Sequence, residues 1–157
     1  MLDPNTQQII NSKADLLSEI NTLLADYFAL YVKTKNFHWH VKGPRFRDLH
    51  LAFDEQAHEL RDQIDVIGER ARKIGGDTVT GIGMISDKTR IKDQTSTTIS
   101  AEEMIAELRD DNVAMVKNLK AMKDVAERAG DNATDGMIDD WTDQAEERVW
   151  FLSSMLG

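Results

Sequence analysis

The stretch Phe46-Arg-Asp-Leu-His50-Leu-Ala-Phe-Asp54-Glu-Gln-Ala-His58-Glu-Leu-Arg-Asp-Gln-Ile-Asp65-Val-Ile-Gly-Glu69-Arg-Ala-Arg-Lys-Ile74-Gly-Gly76 carries two patterns at once. Leu49, Phe53, Leu60, Ile64, Ile67 and Ala71 recur at helical spacing. At about 100° per residue, with His50 as the origin, they fall at roughly 260–320°, a single apolar stripe. On the same scale Asp54, Asp65 and Glu69 lie at roughly 40°, roughly 60° and roughly 100° from His50. The segment is therefore one amphipathic helix, and its acid- and imidazole-bearing face does not look into the core that its apolar face helps to build.

Outward from this helix the punctuation is clear. Gly43-Pro44 breaks the preceding helix, with Pro44 predicted in the first turn of the next. Gly75-Gly76 ends it. Upstream, a first helix from about Thr6 to His40 carries Leu17, Ile20, Leu24, Phe28 and Tyr31. Residues 77–99 are rich in Thr, Ser, Asp and Gly and read as a long connection with room for one short helical turn. Ser100-Ala-Glu-Glu103 has the form of a capping box and opens a third long helix with Ile105, Leu108, Met115, Leu119, Met122 and Ala126. After a turn at 130–134, a fourth carries Ile138, Trp141, Ala145, Val149, Leu152 and Leu156, with Trp141 and Trp150 predicted as core packing. Four long helices with one long crossover between the second and third predict an all-α, ferritin-like four-helix bundle, a single domain over 1–157.

Composition narrows the chemistry. The chain has 157 residues, 41% of them hydrophobic, enough for a core in a domain of this size. It has no Cys, which excludes thiolate metal sites, disulfides and Cys nucleophiles. With 19 Lys+Arg against 28 Asp+Glu the net charge is −9, which repels nucleic-acid phosphates and anionic lipid. No apolar run reaches the roughly 20 residues of a membrane span, and the N-terminal segment lacks the pattern of an export signal. A cytoplasmic location is expected.

All four histidines, His38, His40, His50 and His58, fall at the end of the first helix or on the second. On the second, His50/Asp54 and Asp65/Glu69 are i,i+4 pairs, each able to share a ligand. Asp54 and Asp65 are about 16 Å apart along the axis, too far to bridge within one chain. Both His50/Glu69 and Asp54/Asp65 are, however, centred on the same point, midway between residues 59 and 60. A second copy of the helix packed antiparallel about a two-fold axis there would set His50 against the partner's Glu69 and Asp54 against the partner's Asp65. His38 would add a second imidazole. Two imidazoles and three carboxylates suit Fe, Mn or Zn rather than Cu(I), and Trp39 could line such a pocket or intercept radicals. A plain alternative stands beside this: Arg47, Arg61 and Arg72 lie on or near the same face, which could be a salt-bridged surface. Glu55-Gln-Ala-His58 is also a Glu-x-x-His element of the kind used in di-iron bundles, but the later helices supply no second one. His58 is expected at the two-fold contact and His40 on the surface.

Asn36-Phe-His-Trp39, Val41-Lys-Gly-Pro44, Leu49-His50 with Asp54, Asp65-Val-Ile-Gly-Glu69-Arg70 and Ile74-Gly-Gly76 together resemble the Dps family of mini-ferritins. The capping box, the long connection and Val149-Trp-Phe-Leu152 extend the likeness over nearly the whole chain. The resemblance implies a hollow homo-dodecamer and ferroxidase sites at its two-fold interfaces. There His38, His50 and Asp54 of one subunit and Asp65 and Glu69 of its mate bind Fe(II). The iron is oxidised to Fe(III) by hydrogen peroxide or dioxygen and stored as mineral, protecting against oxidative stress. Nucleoid condensation, or metal sequestration without turnover, are the competing functions.

Two features depart from the family pattern. DNA-binding members carry a basic terminal tail, whereas here the first basic residue is Lys13 and the chain closes Ser153-Ser-Met-Leu-Gly157, so direct DNA binding is not expected. Gly136 stands where an acidic residue of the iron-entry pore is expected, leaving Asp131, Asp135, Asp139 and Asp140 as candidates for a negative funnel.

Overall fold

The computed structural model describes residues 1–157 and is built from helices alone. Helix α1 spans Pro4–His40, α2 Phe46–Lys73, α3 Ile82–Lys88, α4 Ala101–Arg128 and α5 Asn132–Leu156. The short α3 lies within the long crossover, so the four long helices are α1, α2, α4 and α5. They form two hairpins, α1 with α2 and α4 with α5, packed against each other.

The helix ends are fixed by local chemistry. Asp3 caps α1, its Oδ1 accepting from the amides of Asn5 and Thr6 at 3.0 and 3.1 Å, with Pro4 as the first helical residue. The helix thus starts two residues earlier than its apolar pattern suggests. Pro44 is not in the first turn of α2. It sits in the turn before it, closed by the Phe46 amide donating to the Gly43 carbonyl at 3.0 Å, and Gly43 takes φ 109°. Gly75, at φ +88°, ends α2 in a Schellman turn: its amide donates to Arg72 and that of Gly76 to Ala71, both at 3.0 Å. The Ser100–Glu103 capping box forms as expected at α4.

The core unites Leu16, Ile20, Leu23, Leu24, Tyr27, Leu30 and Phe37 of α1 with Leu49, Phe53, Leu60 and Ile67 of α2, the predicted apolar positions of α4, and Ile138, Trp141, Ala145 and Leu152 of α5. Trp141 is buried and donates from Nε1 to Gln63 at 3.0 Å. Trp150 is not core: it is 64% exposed, its ring edge-on to Phe151. One helical position separates it from the half-buried Val149, and that rotation carries it off the apolar stripe.

The crossover runs along α1 on polar contacts. Asn21 donates to the Asp77 carbonyl at 3.0 Å. Buried Asp26 receives the Arg90 amide at 2.6 Å and its guanidinium at 2.7 Å, together with the Thr89 hydroxyl. Asn36 donates to the Gln94 carbonyl at 3.0 Å. No helix is long and apolar enough to cross a membrane.

Candidate metal centre

The end of α1 and the start of α2 bring His38, His50 and Asp54 together. The two imidazoles stack, with ring centroids 3.9 Å apart and planes 16° from parallel. Each is held by the other's backbone: His38 Nδ1 donates to the His50 carbonyl at 2.6 Å, and His50 Nδ1 to the His38 carbonyl at 2.7 Å. A carbonyl only accepts, so each Nδ1 carries a proton, and in the neutral tautomer that arrangement leaves Nε2 as the lone-pair donor. Fixing a ligand's tautomer through its other nitrogen is how metal-binding histidines are prepared. Phe46 stacks on the outer face of His50 at 5.1 Å.

Asp54 completes the group. Its Oδ1 lies 3.7 Å from His38 Nε2 and from His58 Nε2, and 2.7 Å from the Lys35 ammonium. The Lys35 hydrogen bond holds the Asp54 carboxyl below the usual aspartate range, against a smaller opposing effect of burial. The ammonium also sits 5.8 Å from the Trp39 ring centroid, and Trp39 is 62% exposed in the single chain. Lys35 was not singled out in the sequence. Its i,i+3 and i,i+4 spacing to His38 and Trp39 was the available signal.

Asp65 and Glu69 stand exposed at the other end of α2, with no ion pair. Arg61 pairs instead with Asp62 at 3.1 Å and Arg72 with Asp77 at 3.0 Å, so the arginines do not neutralise the candidate ligands. No three His, Asp or Glu side chains of one chain close a cation cage by themselves.

A ferritin-like domain model matches residues 17–157. The chain is 38% identical over 137 residues to the DNA protection during starvation protein of Brevibacillus brevis, covering 87% of this chain and 91% of that one. A solved Dps protein from Bacillus brevis superposes with a TM-score of 0.90 at 35% identity, over 94% of this chain and 98% of that one. The chain belongs to the Dps family. A Dps protein from Vibrio cholerae O1, described as a member of a broad superfamily of ferritin-like diiron-carboxylate proteins, matches with a TM-score of 0.88 at 25% identity, over 94% of this chain and 92% of that one.

The structure also places the remaining candidate residues of this Dps chain. His40 is half-buried and tied to Asn36, its Nδ1 2.9 Å from the backbone carbonyl and 2.7 Å from Oδ1. Glu55 and His58 of the Glu-x-x-His element are both exposed, so that element does not point into the bundle. Of the acidic candidates on α5, Asp131 has a structural task. It caps the helix through the Thr134 amide at 2.9 Å and takes the Arg70 guanidinium at 2.8 Å. Burial raises its pKa, but the Thr134 amide and hydroxyl and the Arg70 charge outweigh burial and leave it lowered. Asp135 and Asp139 share Lys123. Asp140 alone is exposed without an ion pair.

Proposed function

We propose that this Dps protein binds Fe(II) between two-fold-related subunits, oxidises it, and stores the ferric product inside a hollow dodecamer, limiting oxidative damage. His38, His50 and Asp54 of one subunit supply two imidazole nitrogens and a carboxylate. Asp65 and Glu69 of its mate supply two more carboxylates. The observation that carries this reading is the reciprocal histidine–carbonyl lock, which leaves both Nε2 atoms without a hydrogen bond, that of His38 3.7 Å from Asp54 Oδ1. The unpaired Asp65 and Glu69 on the same helical face, out of reach within one chain, support the division between subunits.

Iron is the substrate. Two Fe(II) ions each give up one electron; the peroxide O–O bond breaks, two protons are taken up and two waters form. Splitting peroxide by two electrons at once releases no hydroxyl radical. The protein's part is positioning and charge: hard carboxylates favour the Fe(III) product, while the rigid imidazoles hold the ion in place. Lys35 leaves Asp54 when a cation arrives, and the Trp39 ring face lies within its reach.

The test is anaerobic loading with Fe(II) followed by peroxide, read as ferric absorbance and as radical trapping. Rapid oxidation with little trapped radical is expected, with loss of the fast phase in His50→Ala and Asp65→Ala. Tight binding without oxidation would leave passive sequestration instead.

A further inference from the structure

Helix α2 runs unbroken from Phe46 to Lys73. The pairing that sets His50 against the partner's Glu69 therefore places its two-fold axis level with the point midway between Glu59 and Leu60. His58 lies roughly 2 Å to one side of that level and Asp62 roughly 4 Å to the other. By rotation both sit on the ligand-bearing face, at roughly 80° and roughly 120° from His50, beside Asp65 and Glu69. A two-fold axis makes the residues beside it face their own copies. His58 thus meets the partner's His58, and the partner's Asp62 arrives within about 2 Å of the height of His58.

His58 is equipped for a task there. The other three histidines each have Nδ1 tied to a carbonyl, whereas neither ring nitrogen of His58 has a hydrogen bond. Its nearest polar contact is Asp54 Oδ1 at 3.7 Å, beyond hydrogen-bond length. Its side chain is 48% exposed and that of Asp62 63% in the single chain. Packing against a copy buries both, and buried polar groups need partners. Arg61, also near the axis, holds only Oδ1 of Asp62 and leaves Oδ2 free. Two imidazoles facing across an axis repel when both are protonated. When neutral they present two lone pairs to one point.

We infer that the two His58 imidazoles and two Asp62 carboxylates form a further divalent-cation site on the two-fold axis, lying between the two iron-oxidising sites and pinning the subunits together. The set of two nitrogens and two oxygens suits a four-coordinate Zn(II) or Co(II) ion. This rests on the antiparallel pairing of the proposed function, and the experiment separates the two.

Co(II) is titrated calorimetrically into the assembled His50→Ala protein, whose iron sites are disabled, and into His50→Ala/His58→Asn, with assembly checked by native mass. The expected result is one Co(II) for every two chains in the first and none in the second, with tetrahedral Co(II) absorption in the first alone. No Co(II) bound by His50→Ala, or equal binding by both proteins, overturns the axis site. If His58→Asn disturbs assembly, Asp62→Asn in the His50→Ala background keeps the imidazoles and should weaken Co(II) at least about tenfold; unchanged affinity overturns the site as well. The iron sites are read independently, as the Co(II) lost between wild type and His50→Ala. No loss there refutes the shared iron site whatever His58 does.

Discussion

Division of the iron site between subunits makes a quantitative prediction from two inactive proteins. His50→Ala removes a donor from the His38 end of α2 and Asp65→Ala one from the far end, about 16 Å away from Asp54 along the helix. Loss of a mere outer partner of a metal ligand already costs about 10–100-fold, so each pure variant should retain no more than a percent or so of the fast ferroxidation. Unfolded together one-to-one and reassembled, about half of the two-fold pairs are mixed. In each mixed pair one site carries both defects and the other none. Roughly a quarter of all sites are therefore intact, and the mixture should recover about a quarter of the wild-type rate. The assay is stopped-flow ferric absorbance after anaerobic Fe(II) loading, with native mass confirming mixed assemblies. A His50→Ala/Asp54→Ala mixture, with both defects at the same end of α2, should recover nothing. Recovery by that control, or none by the complementary pair once mixing is confirmed, would refute the shared site.

Other consequences can be measured on the same protein. Lys35→Met removes the ammonium that a cation must displace from Asp54; Co(II) affinity at the His50 site should rise up to about fivefold, the scale of a partly exposed ion pair. Asp131→Ala removes the α5 cap and leaves Arg70 without its partner, which should cost about 1–3 kcal/mol by urea unfolding. Because the Asp131 pKa is lowered in the fold, its stabilisation is fully present above the ordinary value of 3.8 and should be lost only as pH falls through the lower folded value. Arg148→Leu strips the buried partner from Glu59 and Asn112 and should cost about 3–5 kcal/mol, whereas adding Glu59→Leu should restore part of that loss. With a net charge of −9 per chain, plasmid should not be retarded on a gel at about 150 mM salt without divalent cations.

The four long helices were legible because burial needs only a period, and their stripes keep that period for about six turns in α2 and α4. Glycine and capping chemistry placed most ends to within a residue or two. The histidine–carboxylate face was legible for the same reason, since it is the complement of the apolar stripe. Side-chain partners that depend on tertiary approach were not. Lys35 reaches Asp54 across two helices, Asp26 meets Arg90 across more than sixty residues, and Asp131 is claimed by Arg70. A carboxylate in sequence looks the same whether it will cap a helix, bind a cation or face water. Trp150 failed for a related reason: hydrophobicity fixes what a residue would gain by burial, while one step of helical rotation fixes whether it is buried.

The bundle interior also favours the proposed placement of the iron site on the seam between chains. Where a di-iron bundle would direct carboxylates inward, this one buries Arg148, whose guanidinium donates to Asn112 Oδ1 at 2.7 Å, to Glu59, and to the Met115 sulfur at 3.6 Å. Burial pushes the Glu59 carboxyl up despite this neighbour, and it pushes the enclosed Tyr27 phenol up too. The half-buried Glu59 is therefore already taken by Arg148, and no cluster of His, Asp or Glu closes a cation cage in the interior. The Glu55/His58 element, turned outward, cannot compensate. With no donor cluster in its centre, the chain carries its candidate ligands on an outer face: the face of α2 that bears His50, Asp54, Asp65 and Glu69 has donors of the required kind at both ends. Removing Arg148 should therefore destabilise the bundle without creating a new Co(II) site in it; an additional bound Co(II) in Arg148→Leu would show that the guanidinium had been masking an interior site.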